Sequence, residues 1–321
     1  ELHSTRLKSQ SSWRLNSPSR LTRMTIVVAG GTGLAGSAIV RAYQAAGEEV
    51  IPVSRKVVDL LDRGATFKFI KDVKPSLVVD AAAKVGGIGA NNSFPVEFLS
   101  DNVRIQSNLM EAAHAADVEK FIFLGSSCIY PRDCAQPIKE EYLLTGPLEE
   151  TNSAYAVAKI AGIELIKSFR KEYGRTWISL MPTNLYGIND NFELQGSHVL
   201  PAFIRRFVEA AEKNAPVETL WGTGSPKREF LHVDDLAAAV VHLGKSYNSS
   251  DHLNIGTGED LTIKELAELV AELAGFKGEL AWDSSKPDGT PRKVLDVSKA
   301  KSLGWAPQIS LRDGIASTIA W

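Results

Sequence analysis

The sequence has little cysteine, no strong charge bias and no long apolar run, and each shortage excludes a class of protein. Two cysteines in 321 residues do not form a disulfide framework, so we expect a reducing cytoplasm. A formal net charge of -2 gives no reason to expect nucleic acid or an anionic membrane as a partner. No run reaches the roughly 18 apolar residues of a membrane-spanning helix. No cluster of residues has the ligand spacing of a zinc or iron site, so no metal is expected.

Residues 1–23 differ in composition from the rest of the chain. They are rich in Ser and Arg, Glu1 is their only acid, and they show no hydrophobic period. A signal peptide needs an apolar core that is missing here, and an organellar transit peptide fits only weakly. We therefore expect a disordered or non-native extension, a cloning scar or an upstream leader, with Met24 as the natural start.

A glycine-rich turn, GGTGLAG at Gly30–Gly36, lies between a short apolar strand and a helical pattern. In such a turn Gly30 permits a sharp bend, Gly33 lets the backbone approach a pyrophosphate, and Gly36 lets helix and strand pack closely. The helix that begins near Leu34 then points its N-terminus at the phosphates. The pattern predicts a dinucleotide site.

The second strand, Glu49–Ser54, is followed by Arg55 and Lys56. NAD binders usually carry an acid at this position, which holds the ribose 2′-hydroxyl. A cation suits a 2′-phosphate instead, so Arg55 predicts NADP(H) as the cofactor. The structural alternative is a solvated basic turn.

Strand-like and helical runs alternate up to Gly187, which predicts an α/β fold with a doubly wound parallel sheet of the Rossmann type. Ligands bind such sheets at the carboxyl ends of the strands. Ala81 and Ala83 follow one strand-like run, and small residues there let a cofactor lie against the backbone. Lys84 is then expected close to the cleft.

A set of reactive side chains follows the apolar run Phe121–Leu124. Ser126 and Cys128 come directly after this run, and Tyr155 and Lys159 lie further on at i and i+4. That spacing places both side chains on one face of a helix. A hydroxyl at a strand end with a Tyr and a Lys one turn apart is suited to proton transfer to a carbonyl oxygen.

The regular alternation fails after Gly187. We expect an NADP-binding domain over 24–187, with returning segments near 230–256, and a smaller, partly interleaved α+β substrate lobe over 188–321. Within the lobe, a helix is expected over Leu261–Gly275. Another is expected to begin with Asp234 or Asp235 as its N-cap.

Together these residues resemble the extended short-chain dehydrogenase/reductase family. Within it they are most similar to the members that act on GDP-linked 4-keto-6-deoxy sugars. Family members often have His-Arg in the glycine turn where this chain has Gly31-Thr32, which places more weight on Arg55 for NADP preference. The motifs that carry the resemblance are Gly30–Gly36, Tyr155-x-x-x-Lys159, AAAKVGGI at Ala81–Ile88, GSSCIYP at Gly125–Pro131, MPTNLYG at Met181–Gly187, SHVLPAFIRRF at Ser197–Phe207 and KPDGTPRK at Lys286–Lys293.

The resemblance implies two stages on GDP-4-keto-6-deoxymannose, inversion at C3 and C5 followed by NADPH reduction at C4. It implies that Tyr155 protonates the C4 oxygen, that Lys159 lowers the pKa of Tyr155, and that Ser126 donates a hydrogen bond to the same oxygen. Cys128 and His198 would exchange protons with the ring from opposite faces, because both titrate near neutral pH. Which of the two is the base stays open, and the family favours Cys128.

The resemblance also implies ligand contacts and a homodimer, whose face would be the helical segments Pro95–Ala116 and Ile160–Tyr173. Guanidinium forks suit phosphate oxygens, a Trp packs on a nucleobase, and an Asp binds a hydroxyl or a guanine edge. Substrate contacts are expected at Lys84, Ser126, Asn184, Arg206, Trp221, Arg228 and Asp288. Cofactor contacts are expected at Gly30, Gly33, Leu34, Gly36, Arg55, Ala81, Ala83, Leu124, Gly125, Tyr155, Lys159, Pro182, Asn184, Leu185 and His198.

Two other functions compete with this interpretation. A sister 4,6-dehydratase of the same fold usually carries an acidic pair where this chain has Ser127-Cys128, and a 4-epimerase holds NAD, which Arg55 disfavours. A non-catalytic NADP-sensing protein typically loses the Tyr or the Lys, and both are present. By default, Tyr155 is only packed, Cys128 is a small buried hydrophobe and His198 is an inert loop residue.

Overall fold

The computed structural model describes residues 24–193, 196–286 and 288–321, apart from the side chain of Ile88, so the expected extension 1–23 lies outside the described residues. The strands are β1 (Thr25–Ala29), β2 (Glu49–Val53), β3 (Leu77–Asp80), β4 (Lys120–Leu124), β5 (Ile178–Pro182), β6 (Asn184–Tyr186), β7 (Val217–Trp221), β8 (Lys227–Arg228), β9 (Phe230–His232), β10 (His252–Ile255), β11 (Leu261–Thr262), β12 (Glu279–Asp283) and β13 (Arg292–Lys293). The helices are α1 (Leu34–Ala45), α2 (Arg63–Val73), α3 (Ile88–Ser93), α4 (Pro95–Ala115), α5 (Ser153–Tyr173), α6 (Val199–Glu212), α7 (Val233–Ser246), α8 (Ile263–Leu273), α9 (Ser298–Ser302) and α10 (Leu311–Ala320).

Six of the described strands form one parallel sheet in the order β10-β5-β4-β3-β1-β2. The strand order reverses between β1 and β3, and a crevice for ligands lies outside the carboxyl ends at such a switch point. The predicted doubly wound α/β fold is therefore confirmed. No helix in the described part of the chain is long and apolar enough to cross a membrane.

Both faces of this sheet are buried, which explains why its strands are continuous apolar runs instead of alternating ones. Phe121 and Phe123 of β4 point into the core that α2, α4 and α5 cover, together with Ile163 of α5. Ile122 and Leu124 point to the opposite face, where α1 and α7 pack against each other. Side chains that follow the carboxyl end of β4 therefore lie between the two layers of helices that cover the sheet.

The rest of the chain builds a smaller lobe with its own core. α6 packs on α8, and Phe207, Leu220 and Leu266 are buried in this core. The small sheets of the lobe are β11-β8-β13 and β12-β7. Strand β10 pairs with β5 in the main sheet, and β9 pairs with β6. The division of the chain at residue 187 stays a prediction.

Glu229 links the two parts of the molecule. This carboxylate is fully buried, and it accepts backbone N–H groups from Thr257 (2.6 Å), Gly258 (2.7 Å) and Leu295 (2.9 Å). Burial raises the pKa of Glu229, whereas these hydrogen bonds lower it. Because a buried carboxylate needs such partners, Glu229 fixes the chain just after β10 and just after β13 relative to β9.

Two details of the lobe differ from expectation. The N-cap of α7 is His232, whose Nδ1 accepts from the amide of Asp234; Asp235 instead binds the backbone of the 308–309 segment. The helix expected from Leu261 begins at Ile263, because Thr262 forms a capping box with Glu265 and is extended. Side-chain hydrogen bonds of His232 and Thr262 to nearby backbone amides decided where these helices begin.

Candidate active site

The glycine turn has the shape of a phosphate cradle. Gly30 has a φ of +72°, a conformation that favours glycine, and a Cβ on Gly36 would lie 2.1 Å from the carbonyl oxygen of Gly30. Gly33 is the N-cap of α1, and a Cβ there would meet only the Gly30 carbonyl oxygen, at 3.5 Å. The space in front of the helix N-terminus is thus kept free of side chains, which fits a pyrophosphate.

The other predicted cofactor contacts lie along the carboxyl edge of the sheet. Arg55 is exposed in the turn after β2. The Gly125 amide donates to Leu180 O (2.9 Å), and that of Ala81 donates to Ala29 O (3.1 Å), so both backbones are fixed. Their contacts with a cofactor stay predictions. Leu34 begins α1, Ala83 follows β3, Leu124 and Pro182 end β4 and β5, and Asn184 and Leu185 belong to β6.

Ser126 and Tyr155 meet at the carboxyl end of β4. Ser126 caps a short 3-10 turn by accepting the amide of Cys128 (3.2 Å), and its side chain hydrogen-bonds the Tyr155 phenol. Burial raises the pKa of Tyr155, the Cys128 charge raises it further, and the Ser126 hydrogen bond opposes the shift. The phenol therefore stays protonated at neutral pH, as a proton donor requires. The net pKa of Tyr155 is therefore raised and not lowered as expected, because burial is the largest influence. The expected influence of Lys159 on this pKa stays a prediction.

Lys159 lies one turn along α5 and is buried with its ammonium beneath the same site. Its Nζ donates to the carbonyl oxygen of Leu124 (2.9 Å) and lies 4.8 Å from the ring centroid of Phe123. The ring centroid of Tyr155 is 5.9 Å away. Burial lowers the pKa of Lys159, and the carboxylate of Asp80 raises it. The spacing predicted from sequence does bring Tyr155 and Lys159 together.

Asp80 is a buried carboxylate that the sequence interpretation did not single out. It ends β3 opposite Phe123 of β4, with no solvent exposure. Its Oδ1 accepts the amide of Ala82 (3.1 Å), and its Oδ2 has no hydrogen-bond partner. Burial raises the pKa of Asp80 to about 6, while the Lys159 charge lowers it. A carboxylate and an ammonium thus share the dry layer under the site.

Cys128 is a free thiol in the 3-10 turn after β4, and it is half-buried. Burial alone raises the pKa of Cys128, but Lys293, Ser126 and Arg228 together outweigh that effect and lower it. The Nζ of Lys293 donates to the sulfur at 3.5 Å. A thiol with a lowered pKa is more reactive as a base or nucleophile at neutral pH.

His198 reaches this end of the sheet from the other lobe. It is the N-cap of α6, and the amide of Gly87 donates to the carbonyl oxygen of Gly196 (2.9 Å), two residues before it. The ring keeps solvent access, yet the protein atoms around it desolvate the imidazolium and lower the pKa of His198. A neutral imidazole at pH 7 both accepts and donates a proton. The partnership of His198 with Cys128 stays a prediction.

Trp221 and Asp288 form the outer rim of the lobe. The indole is 71% exposed, an unusual state for a large aromatic group, and the Lys286 ammonium lies 5.7 Å from its ring centroid. Asp288 accepts from the amide (2.7 Å) and the hydroxyl (2.8 Å) of Thr223, so it closes the turn that follows Trp221. The exposed ring is free to stack on a base.

The remaining predicted substrate contacts already have protein partners. The guanidinium of Arg206 donates to Glu218 and to the carbonyl oxygen of Thr219, Lys84 forms an ion pair with Glu97, and the amide of Asn184 donates to the carbonyl oxygen of Glu229 (2.8 Å). Arg228 is electrostatically coupled to Cys128 and Glu149. Binding by Arg206 or Lys84 would therefore replace or extend an existing pair, whereas Arg228 is next to the reactive thiol.

Sequence reasoning missed Lys293 as a site residue, although it quoted the motif that ends there. Lys293 lies 165 positions from Cys128, and nothing in the spacing links the two. Asp80 was missed because it reads as the last residue of an apolar strand. Its signal was a charged residue at the end of a buried run, which is costly without a partner.

Comparisons with known proteins agree with this geometry. The model of the NAD dependent epimerase/dehydratase family matches residues 26–256. GDP-L-fucose synthase 1 of Arabidopsis thaliana is 53% identical over 297 residues (92% of each chain), and GDP-L-fucose synthase of Escherichia coli K12 is 49% identical over 311 residues (94% of this chain and 97% of the other). The solved structure of a GDP-L-fucose synthetase from Naegleria fowleri bound to NADP superimposes with a TM-score of 0.86, at 29% identity, and covers 94% of each chain.

Proposed function

The chain belongs to the NAD dependent epimerase/dehydratase family, and on that premise we propose that it converts GDP-4-keto-6-deoxy-D-mannose to GDP-L-fucose. The reaction is a 3,5-epimerisation followed by an NADPH-dependent 4-reduction. The observation that carries this proposal is the meeting of two kinds of chemistry at one strand end. A carbonyl-binding set (Ser126, Tyr155 and Lys159) lies beside a thiol of lowered pKa, Cys128.

Epimerisation begins at the carbons next to the ketone. The 4-keto group makes the protons at C3 and C5 acidic, and Ser126 and Tyr155 donate hydrogen bonds to the oxygen on which the enolate charge develops. Cys128 takes each proton on one face of the ring and His198 returns one on the other face, which inverts the centre. The lowered pKa of Cys128 and the neutral imidazole of His198 support this assignment.

Reduction uses the same carbonyl-binding set. When bound, NADPH supplies the hydride for C4. Tyr155 gives its proton to the C4 oxygen as that oxygen gains charge, and its raised pKa keeps the proton available. Lys159, held by the carbonyl oxygen of Leu124, stabilises the phenolate that remains. Ser126 keeps the oxygen in place throughout.

The cofactor is NADP(H). Gly30, Gly33 and Gly36 would receive its pyrophosphate at the N-terminus of α1, and the exposed Arg55 would meet the 2′-phosphate. The nicotinamide end would reach Lys159. The remaining cofactor contacts would come from the carboxyl edge of the sheet, at Leu34, Ala81, Ala83, Leu124, Gly125, Pro182, Asn184, Leu185 and His198.

The GDP end of the substrate would lie on the smaller lobe. Trp221 offers an exposed face for guanine, and Arg228 offers a partly buried guanidinium for phosphate beside Cys128. Asp288 fixes the turn next to Trp221 and would also face the nucleotide. Lys84, Asn184 and Arg206 would complete the contacts to the sugar and the phosphates.

We also propose a homodimer that forms through α4 and α5. Apolar side chains on or just before these helices are exposed, among them Phe94 (54%), Val96 (76%), Leu99 (37%) and Val157 (45%). Because α4 and α5 pack against each other, these side chains would be covered in a dimer that forms through both helices. Sedimentation of Leu99→Arg should show a monomer where the native protein sediments as a dimer.

The protein would work in the cytoplasm, where a free thiol at Cys128 persists.

The direct test is incubation with GDP-4-keto-6-deoxymannose and NADPH. We expect NADPH oxidation at 340 nm and GDP-L-fucose as product, and the absence of both would contradict the proposal. Cys128→Ser should bind NADPH normally but lose solvent-deuterium exchange at C3 and C5 by about 10²- to 10³-fold. Cys134→Ser is the matched control and should exchange as the native protein does. Unchanged exchange in Cys128→Ser would remove this thiol from the mechanism.

A further inference from the structure

A lysine from the smaller lobe reaches the reactive thiol of the larger one. Lys293, the last residue of β13, is half-buried, and its Nζ lies 3.5 Å from the Sγ of Cys128. We propose that Lys293 is a positioning residue that pairs with the Cys128 thiolate and holds it ready as a base before the sugar arrives. This inference rests on the proposed function only for its role in turnover, because the contact between Lys293 and Cys128 is made without substrate.

The backbone that carries Lys293 is held in place by strand pairing and by hydrogen bonds of the residues that follow it. Lys293 pairs in register with Arg228 of β8, so two cations lie side by side next to the sulfur. The residues that follow are tied down as well: the amide of Val294 donates to Gln136 (3.0 Å) and that of Leu295 to Glu229 (2.9 Å). A long side chain on an anchored backbone loses less freedom when it pairs than one on a mobile loop.

The charges around the sulfur favour the thiolate. Burial favours the neutral thiol, and Lys293 is the largest opposing influence, ahead of Ser126 and Arg228. Tyr155 faces the sulfur from α5, and its phenol is neutral because burial raises its pKa and the Cys128 charge raises it further. Glu149 is coupled to Arg228 and not directly to the sulfur. The cations therefore decide the charge of Cys128.

The pair also has a consequence for the order of events. A thiolate beside Tyr155 keeps the phenol protonated, and the phenol must be protonated to support the enolate and later to deliver its proton to C4. When Cys128 takes a proton from the ring, its charge disappears and the phenol becomes easier to ionise. Lys293 thus sets the starting charge state from which both stages proceed.

The experiment measures iodoacetamide alkylation of Cys128 from pH 6 to pH 9, by mass spectrometry of the peptide that carries it. In Lys293→Met we expect the alkylation midpoint to rise by at least one pH unit, which is about a tenfold slower reaction near neutral pH. Lys293→Arg should behave nearly as the native protein. Lys227→Met, which removes an exposed charge from the neighbouring strand, should not move the midpoint.

Urea unfolding reports on folding of the same variants. Cys134 is no control here, because burial raises the pKa of its thiol and the Lys293 charge lowers it. If Lys293→Met unfolds at a lower urea concentration than the native protein, Lys293→Gln replaces it as the smaller polar change. A native midpoint in a folded variant without the Lys293 charge would overturn the proposal. Alkylation needs no substrate, so failure of GDP-L-fucose synthesis leaves this result standing on its own.

A turnover measurement separates an electrostatic role from a merely structural one. Deuterium exchange at C3 and C5 by Lys293→Met should be slow at pH 7 and recover towards pH 9, as the thiol ionises without help. A uniform loss at all pH values would show that Lys293 only holds the strand in place, and it would overturn the proposal.

Discussion

The two reactive sets of this molecule are built in different ways. The carbonyl grip (Ser126, Tyr155 and Lys159) comes from one strand end and one helix, and its members contact one another inside the larger domain. The set proposed for epimerisation joins Cys128 of that domain to two residues of the smaller lobe, Lys293 of β13 and His198, the N-cap of α6. The first set is complete within the larger domain, whereas the second needs residues from both parts of the molecule.

That difference teaches how one fold combines two reactions. A hydride-transfer site needs only a fixed carbonyl, so local spacing along one helix is enough. Inversion needs groups on opposite faces of a ring, and a single strand end presents only one face. The second face must come from elsewhere in the chain, and under the proposed function it would come from the lobe that also binds the nucleotide.

Tyr155→Phe should have the largest effect, and it tests whether the two sets act separately. This change removes the proton donor of the grip, so we expect NADPH oxidation to fall about 10³- to 10⁴-fold while NADPH affinity stays within about twofold. Deuterium exchange at C3 and C5 should fall much less, because Ser126 still donates to the enolate oxygen. Equal losses in both assays would show that the two sets are not separable.

His198→Gln tests the other set. A glutamine keeps hydrogen bonding but cannot carry a proton, so overall conversion should fall about 10²- to 10³-fold with a selective loss of returned deuterium at the ring carbons. Nuclear magnetic resonance of the recovered sugar distinguishes C3 from C5. His242→Gln is the control, because His242 lies on α7 and hydrogen-bonds the carbonyl oxygen of Leu303 (2.8 Å) instead of a residue of the proposed site. Full exchange at both carbons in His198→Gln would remove this residue from the epimerisation set.

Asp80→Asn tests the charge buried under the grip. The pKa of Asp80 is about 6 in the folded chain, above its ordinary value of 3.8, so its contribution to stability is present below pH 4 and is lost as pH rises through 6. The free energy of unfolding of the asparagine variant, relative to that of the native protein, should therefore rise by about 3 kcal/mol between low pH and pH 8. Urea unfolding at pH 4.5 and pH 8 measures this difference. A difference that does not change with pH would contradict the buried-charge account.

Arg55→Ala should leave both sets intact and give the smallest effect. Loss of one charged contact to the 2′-phosphate should raise the KM for NADPH about tenfold and leave the KM for NADH unchanged. Lys56→Ala, the next residue in the same exposed turn, is the matched control. An equal effect on both nucleotides would remove Arg55 from cofactor selection.

The sequence was informative where function depends on local spacing. The glycine turn, the strand ends and the Tyr155–Lys159 step each follow from a few neighbouring residues, so the main sheet and the carbonyl grip could be predicted. The Lys293–Cys128 contact could not, because it joins two lobes through a strand of two residues that carries no periodic signal. The N-cap at His232 was missed because side-chain hydrogen bonding depends on what else competes for the acids.

Strand β10 completes the main sheet long after its neighbour β5 has been made. During synthesis, 73 residues separate the end of β5 from the end of β10, which at ribosomal speed is roughly 4 to 15 s. Through that interval the nascent chain carries an apolar strand with an open edge, the kind of surface that pairs with other chains. The interleaving of the two parts of the chain thus also leaves the growing polypeptide with an open strand edge until β10 has been made.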